Sequence, residues 1–326
     1  MALERRERVE GRLSNKNIAA MGFYGSMISS FVGLMALIYG LAAVPDNTSS
    51  AQVWGIWLFG LGAALGISQV ARTTRNFVPA LLTFILAVLF TEALLRVYKV
   101  PPGLIPTPSR VWTALLSTQQ VLLRDAFTTF VLEALFGFIG GTLAGLVFAL
   151  GIVRSRFLER GLLPYASVLS SVPIVALAPI LVKMIGLEWP SKAVIVGITV
   201  FFPVVVNVVR GLQSVSPLQL DLMHSYGSSA GQVFALLRVP TALPFLFNAL
   251  KIAVPLALIG AIVGETFGAT GSGLGFRIGI SVGRFEYDVA WAAIVIASLI
   301  SLLFFGLVSL LERRFLNWHS SMREGA

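Results

Sequence analysis

Charge is missing from this chain over long stretches. Between Lys16 and Asp46 lie 29 uncharged residues, and another 25 separate Asp46 from Arg72. Arg160 and Lys183 enclose 22, Lys192 and Arg210 enclose 17, and Asp288 and Glu312 enclose 23. Three more apolar runs tolerate isolated charges: 76–95 contains Glu92, 126–153 contains Glu133, and 245–267 contains Lys251 and Glu265. Crossing roughly 30 Å of hydrocarbon takes about 20 helical residues. Eight runs therefore predict an all-α polytopic membrane bundle of about eight transmembrane helices. No alternation of period two suggests a barrel. The composition agrees: 56% of the residues are hydrophobic and 12% charged, about half the charged share of a soluble domain. In water such a chain could not cover its own surface. The absence of cysteine excludes disulfides, thiolate nucleophiles and Cys-ligated metal.

The basic residues set the orientation. With eight spans both termini share one side. Placing them in the cytoplasm puts 16 Lys and Arg on the inner segments, among them Arg5, Arg6, Arg8, Arg12 and Lys16, against 7 on the outer ones. Basic residues are retained on the cytoplasmic face, so both termini are expected there. The net charge of +9 reflects this retention rather than nucleic-acid binding. The first apolar run exceeds the roughly 7–15 residues of a signal-peptide core and reads as an uncleaved span.

Three connections are longer than turns. On the outer side, Pro101, Pro102, Pro106 and Pro108 force extended chain. From Ser109, the face formed by Val111, Trp112, Leu115 and Leu116 predicts a short helix lying in the interface. On the inner side, Leu218, Leu222 and Met223 share one helical face. Gly227 permits a sharp break, and Val233, Phe234, Leu236 and Leu237 start a second helix that Pro240 and Pro244 are expected to end. A side chain at Gly227 is expected to crowd this turn. So apolar a helix pair between spans marks a protein partner, or packs on its own bundle. The last outer connection holds Gly268, Gly271, Gly273 and Gly275. It follows a span rather than a strand, so it predicts a gate or re-entrant turn buried in protein, not a phosphate loop.

Catalytic signatures are missing. None of Lys16, Lys99, Lys183, Lys192 and Lys251 follows a glycine, so the chain has no P-loop. The two histidines, His224 and His319, stand far apart and form no metal-ligand set. Ionisable groups inside spans are functional candidates by default. Glu92, Glu133, Lys183 and Lys251 lie near span ends, where snorkelling explains them; Glu265 is the exception.

The inner connection carries a recognisable pattern. Asp221-Leu222-Met223, three residues, Gly227, nine residues, Leu237, one residue and Val239-Pro240 resembles the cytoplasmic signature of permeases of ATP-binding-cassette importers. Leu222 and Met223 replace the two alanines usual there. The stretches 104–109 and 173–179, and Glu265 followed by Gly273-Leu274-Gly275, are similar to the nitrate, sulfonate and taurine branch, which includes permeases for riboflavin and thiamin precursors. The resemblance covers roughly residues 96–318.

It implies a type I importer permease: a basic segment 1–18, three spans over 19–95 of which two are additional, a core over 96–318 with the coupling loop 211–244, and a tail 319–326. It further implies a cytoplasmic ATPase dimer that uses ATP and Mg, a second and identical permease subunit, an external solute-binding protein and no cofactor on this chain. Asp221, Leu222, Met223, Gly227, Leu237, Val239 and Pro240 would form the ATPase-coupling loop. Ser167, Ser170, Ser171, Pro173, Asn207 and Glu265 are pathway candidates, and Gly271, Gly273 and Gly275 the gate or re-entrant turn. A vitamin-like heterocycle is the first expectation for the solute and a small sulfonate or nitrate the second. The competing reading is a secondary transporter or channel, which would require inverted repeats and chains of buried carboxylates. A reporter fused after Ala326 should be active only when it matures in the cytoplasm; activity only on the outer side would refute the orientation.

Overall fold

The computed structural model describes residues 50–73, 78–155, 173–268 and 271–317, and every regular element among them is helical. Two compact units emerge, Met1–Ala114 and Leu115–Ala326.

In the first unit α1 (Ser50–Thr73) pairs with α2 (Val78–Val97), burying Ile56, Ala63 and Ile67 with Leu86, Ala93 and Val97. Trp57 meets Phe90 edge-on at 5.2 Å. The proline-rich segment then leads into α3 (Pro108–Ser117), the expected interface helix, with Trp112 and Leu116 exposed on it. Glu92 does not snorkel. It is buried, accepting the Ser109 backbone N–H at 2.8 Å, the Ser109 hydroxyl at 2.7 Å and Arg96 Nε at 2.6 Å. A carboxylate from α2 thus satisfies the start of α3, where orphan N–H groups and the helix dipole favour negative charge.

The second unit begins with α4 (Gln119–Phe127), a π-helical stretch (Thr128–Leu135) and α5 (Phe136–Arg154), which run on as one 36-residue helix. Next come α6 (Ile174–Ile185), α7 (Trp189–Gln213), α8 (Pro217–Ser225) and α9 (Ala230–Val233). A second π stretch (Phe234–Arg238) joins α9 to α10 (Val239–Gly268), followed by α11 (Leu274–Gly283) and α12 (Tyr287–Phe315). Pro240 and Pro244 therefore do not end the second cytoplasmic helix, as expected from the sequence. The wider π turn before Pro240 takes up its missing N–H, Pro244 lies inside α10, and the helix runs unbroken from Ala230 to Gly268.

Five described helices are long and apolar enough to cross a membrane: Val78–Val97, Gln119–Arg154, Trp189–Gln213, Ala230–Gly268 and Tyr287–Phe315. The first expected span and the first half of the fifth fall outside the described residues. Large apolar side chains such as Val147, Leu302, Leu303 and Leu310 stay exposed, as suits helices solvated by lipid.

Helix α7 is the centre of this unit, packing most extensively on α10 and α5. Val196, Val200, Val204 and Val208 recur every fourth residue and are buried. Valine has essentially one χ1 rotamer in a helix, so burying it costs little entropy. On one side these valines meet a glycine stripe of α5: Gly137, Gly141 and Gly145. On the other lies an alanine stripe of α10: Ala249, Ala253, Ala257 and Ala261. Lipid gives apolar helices no hydrophobic reason to associate, so close backbone approach through small residues supplies the attraction. Phe304 of α12 closes the core edge-on against Phe130 at 5.4 Å and Phe138 at 4.9 Å. The ion pair of Lys251 with Glu312 at 2.8 Å ties α10 to α12, so Lys251 does not snorkel either.

A Cβ at Gly141 would overlap the backbone of Gly197, whereas one at Gly140 would meet nothing. Gly141→Val should destabilise the detergent-solubilised protein by about 2 kcal/mol or more, the usual range for overpacking. Gly140→Val should stay within about 0.5 kcal/mol, as at exposed sites away from special features. Paired thermal-unfolding curves check both values.

Candidate functional site

Two groups of residues stand at opposite ends of α10. Before its start lies the α8–α9 hairpin. Ser216 caps α8 reciprocally with Gln219: the Gln219 N–H donates to Ser216 Oγ at 3.3 Å, and the Ser216 N–H donates to Gln219 Oε1 at 3.2 Å. Pro217 follows at the first helical position, where its missing N–H costs nothing. Ser229 and Gln232 repeat the capping box on α9. Between them Gly227 has φ 67°, with its N–H donating to His224 O at 2.9 Å and the Ser228 N–H to Met223 O at 3.1 Å. This is a Schellman turn, which glycine occupies at no steric cost. The expected crowding at 227 is absent, because a Cβ there would meet nothing within 4 Å; the constraint is conformational.

The hairpin is thus locally rigid, yet no residue of α8 is buried. Leu218, Leu222 and Tyr226 form a stripe at a spacing of four, with Leu218 and Tyr226 each 80% exposed. Packing on its own bundle, the other reading of this helix, is therefore not what α8 does. Asp221 is also exposed, but it lies in the second turn of α8 and not at its start. Ser216 and Pro217 occupy the cap, so Asp221 does not cap α8. Met223 and Leu237 are half-buried, as is Pro240, and Val239 is exposed.

At the far end of α10 the chain turns sharply, and polar groups from four helices converge. Gly271 and Gly273 have φ of 98° and 121°. The N–H of Gly273 donates to Asp125 Oδ1 at 3.1 Å, that of Leu274 to Thr129 Oγ1 at 2.8 Å, and that of Gly275 to Glu265 Oε2 at 2.5 Å. Three successive N–H groups at the start of α11 are thereby satisfied by side chains of α4, the π stretch and α10. Thr129 Oγ1 donates to Glu265 Oε1 at 2.6 Å, and Arg277 Nε to Asp125 Oδ2 at 2.7 Å. A Cβ at Gly273 would strike the Glu265 carboxylate. One at Gly275 would lie 2.5 Å from Ile262 O. Both glycines are required by close approach.

The outgoing end of α10 is fastened too. Lys192 Nζ donates to the carbonyls of Gly268 and Leu187, and to that of Glu188 at 3.2 Å. A cation at a helix C-terminus suits both the orphan carbonyls and the dipole. Asp125, Glu133, Lys192 and Glu265 are each no more than 2% exposed. Glu133 therefore does not snorkel; its carboxyl is hydrogen-bonded to that of Glu265, with Lys192 within electrostatic reach. Among the described residues no three His, Cys, Asp or Glu are grouped to hold a metal ion.

Of the pathway candidates, Glu265 is engaged by protein donors on both oxygens. Asn207 Nδ2 donates to Pro203 O at 2.8 Å within α7, Pro173 precedes α6 exposed, and Ser167, Ser170 and Ser171 lie outside the described residues. Asp125, Thr129, Lys192 and Arg277 were not found as site residues from the sequence. They join Glu265 and the glycines across 76 to 152 positions, so no local spacing signals them.

The arrangement is a rigid exposed hairpin at one end of a long apolar helix and a buried polar turn at the other. The family model described as "Binding-protein-dependent transport system inner membrane component" matches residues 141–317. The chain belongs to this family. The permease is 30% identical over 263 residues to the riboflavin transport system permease protein RibX of Chloroflexus aurantiacus, covering 78% of this chain and 97% of that one. It is 30% identical over 217 residues to the formylaminopyrimidine transport permease protein ThiX of Halalkalibacterium halodurans, covering 67% and 86%. Identity to the taurine transport system permease protein TauC of Escherichia coli is 26% over 250 residues, covering 74% and 89%. The family expected from the spacing of Asp221, Gly227 and Pro240 is therefore the family found.

Proposed function

We propose that the permease forms the translocation pathway of an ATP-driven importer and receives a small solute from an external binding protein. The α8–α9 hairpin docks on a cytoplasmic ATPase, which alone consumes ATP and Mg; this chain binds no cofactor and catalyses nothing. A second, identical copy completes the pathway within the bilayer, and both termini lie in the cytoplasm. Pro173, Asn207 and the serines of the fifth span line the route. The names of RibX and ThiX support a vitamin-like heterocycle as solute, with a small sulfonate or nitrate second.

One observation carries the docking assignment: the stripe of Leu218, Leu222 and Tyr226 stands out from a helix whose every end is internally capped. Rigid, exposed apolar side chains beside a charge form the kind of patch that a protein partner buries. Because the hairpin is held by its own caps, changing its outward side chains should leave the fold intact.

Leu218→Asp and Asp221→Ala should insert at normal levels and unfold at the wild-type temperature. Co-purification of the ATPase should fall at least tenfold, equivalent to ~1.4 kcal/mol of binding. Gly227→Val should do the same by misaligning the hairpin, at a local cost of about 1 kcal/mol or more. Wild-type transport and undiminished ATPase association in all three variants would remove the docking assignment.

A further inference from the structure

The turn between α10 and α11 is secured twice. Lys192 holds the last carbonyl of α10, while Asp125, Thr129 and Glu265 hold the first N–H groups of α11. Each tie crosses from one helix to another, and each is buried. Arg277 then returns from α11 to Asp125, so a single carboxylate holds both a backbone N–H and a guanidinium. Where Asp125, Thr129 and Glu265 are this deeply buried, removing one partner leaves the other's charge or donor uncompensated. The ties should therefore fail together rather than one at a time.

The position of this cluster gives it a role. Helix α10 is 30 residues long, or roughly 45 Å at 1.5 Å per residue, with the hairpin at one end and the cluster at the other. Leu274, the residue whose N–H meets Thr129, is wholly buried. Helix α11, with 10 residues, is too short to cross a bilayer. It packs on α10 and α12, so its place depends on what holds its first turn.

We infer that Asp125, Thr129, Glu265 and Arg277 are positioning residues for transport: a polar latch that holds the 271–275 turn and α11 closed on the bundle at the end of α10 farthest from the hairpin. Glu265 on this account contacts no solute. It acts through Gly275 and Thr129. The inference rests on the importer reading only for what opens the latch, because the closed state is made entirely by this chain.

The cysteine-free sequence permits a clean test in native membranes without any ATPase. Leu274→Cys reports the latch, and Val204→Cys, buried in the α7 core, reports the rest of the bundle. A membrane-impermeant maleimide is applied to each face. In the otherwise unchanged chain both positions should stay protected. Adding Arg277→Ala or the isosteric Glu265→Gln should raise the labelling rate at 274 at least tenfold while position 204 stays protected. Arg277→Lys, which retains the cation, should restore protection at 274. A role in folding the bundle as a whole would expose both positions together. Unchanged protection at 274 would overturn the latch. So would parallel labelling at 204, or loss of the variants from the membrane, since both assign these residues to folding alone. Because no partner takes part, a negative result leaves ATPase docking standing, and failure of docking leaves the latch standing.

Discussion

A helix end buried in protein has no water to satisfy it, and that constraint organises the polar chemistry of the described residues. Every buried donor or acceptor in hydrocarbon must find a protein partner. Most residues meet the rule by lying in long helices. The exceptions are the places where helices start and stop below the surface, and there the partners come from other helices. Glu92 caps α3, Lys192 caps the end of α10, and Asp125, Thr129 and Glu265 cap α11. Charged groups within spans thus serve as helix caps as well as ion-pair partners.

The same scarcity of polar options shapes the apolar packing. Between helices in lipid, attraction comes from contact rather than from release of water. The glycine stripe of α5 and the alanine stripe of α10 clasp the valines of α7 from two sides. That clasp holds α10 against its neighbours, with Lys251 joined to Glu312 of α12 along its length. The helix runs from the capped hairpin to the buried polar turn, so the proposed function would use it as the connection between the two. In the function proposed above, ATPase movement would enter at Leu218 and Tyr226 and reach Gly268 along α10, which is roughly 45 Å long.

Much of this was legible in the sequence, for reasons that differ by element. Uncharged runs revealed the long helices because length and apolarity are the bilayer's own criteria. The hairpin was legible because its apolar face, Gly227 and the spacing from Asp221 to Pro240 are local. Gly273 and Gly275 marked the turn, but not what surrounds it. Asp125 and Thr129 carry no local signal, and Glu133 and Lys251 read as snorkelling residues, since their partners lie far off in the sequence. Pro240 misled for a physical reason: a π stretch before it supplies the slack that an α-helix lacks.

The claim that most needs testing is the connection between the two ends of α10. The direct measurement is the maleimide-labelling rate of Leu274→Cys in the complex reconstituted with its ATPase, with and without trapped ATP. ATP should raise the rate at least several-fold, and Leu218→Asp should abolish the increase while leaving the nucleotide-free rate unchanged. A rate at position 274 that ignores nucleotide, in a complex that transports solute, would contradict the connection.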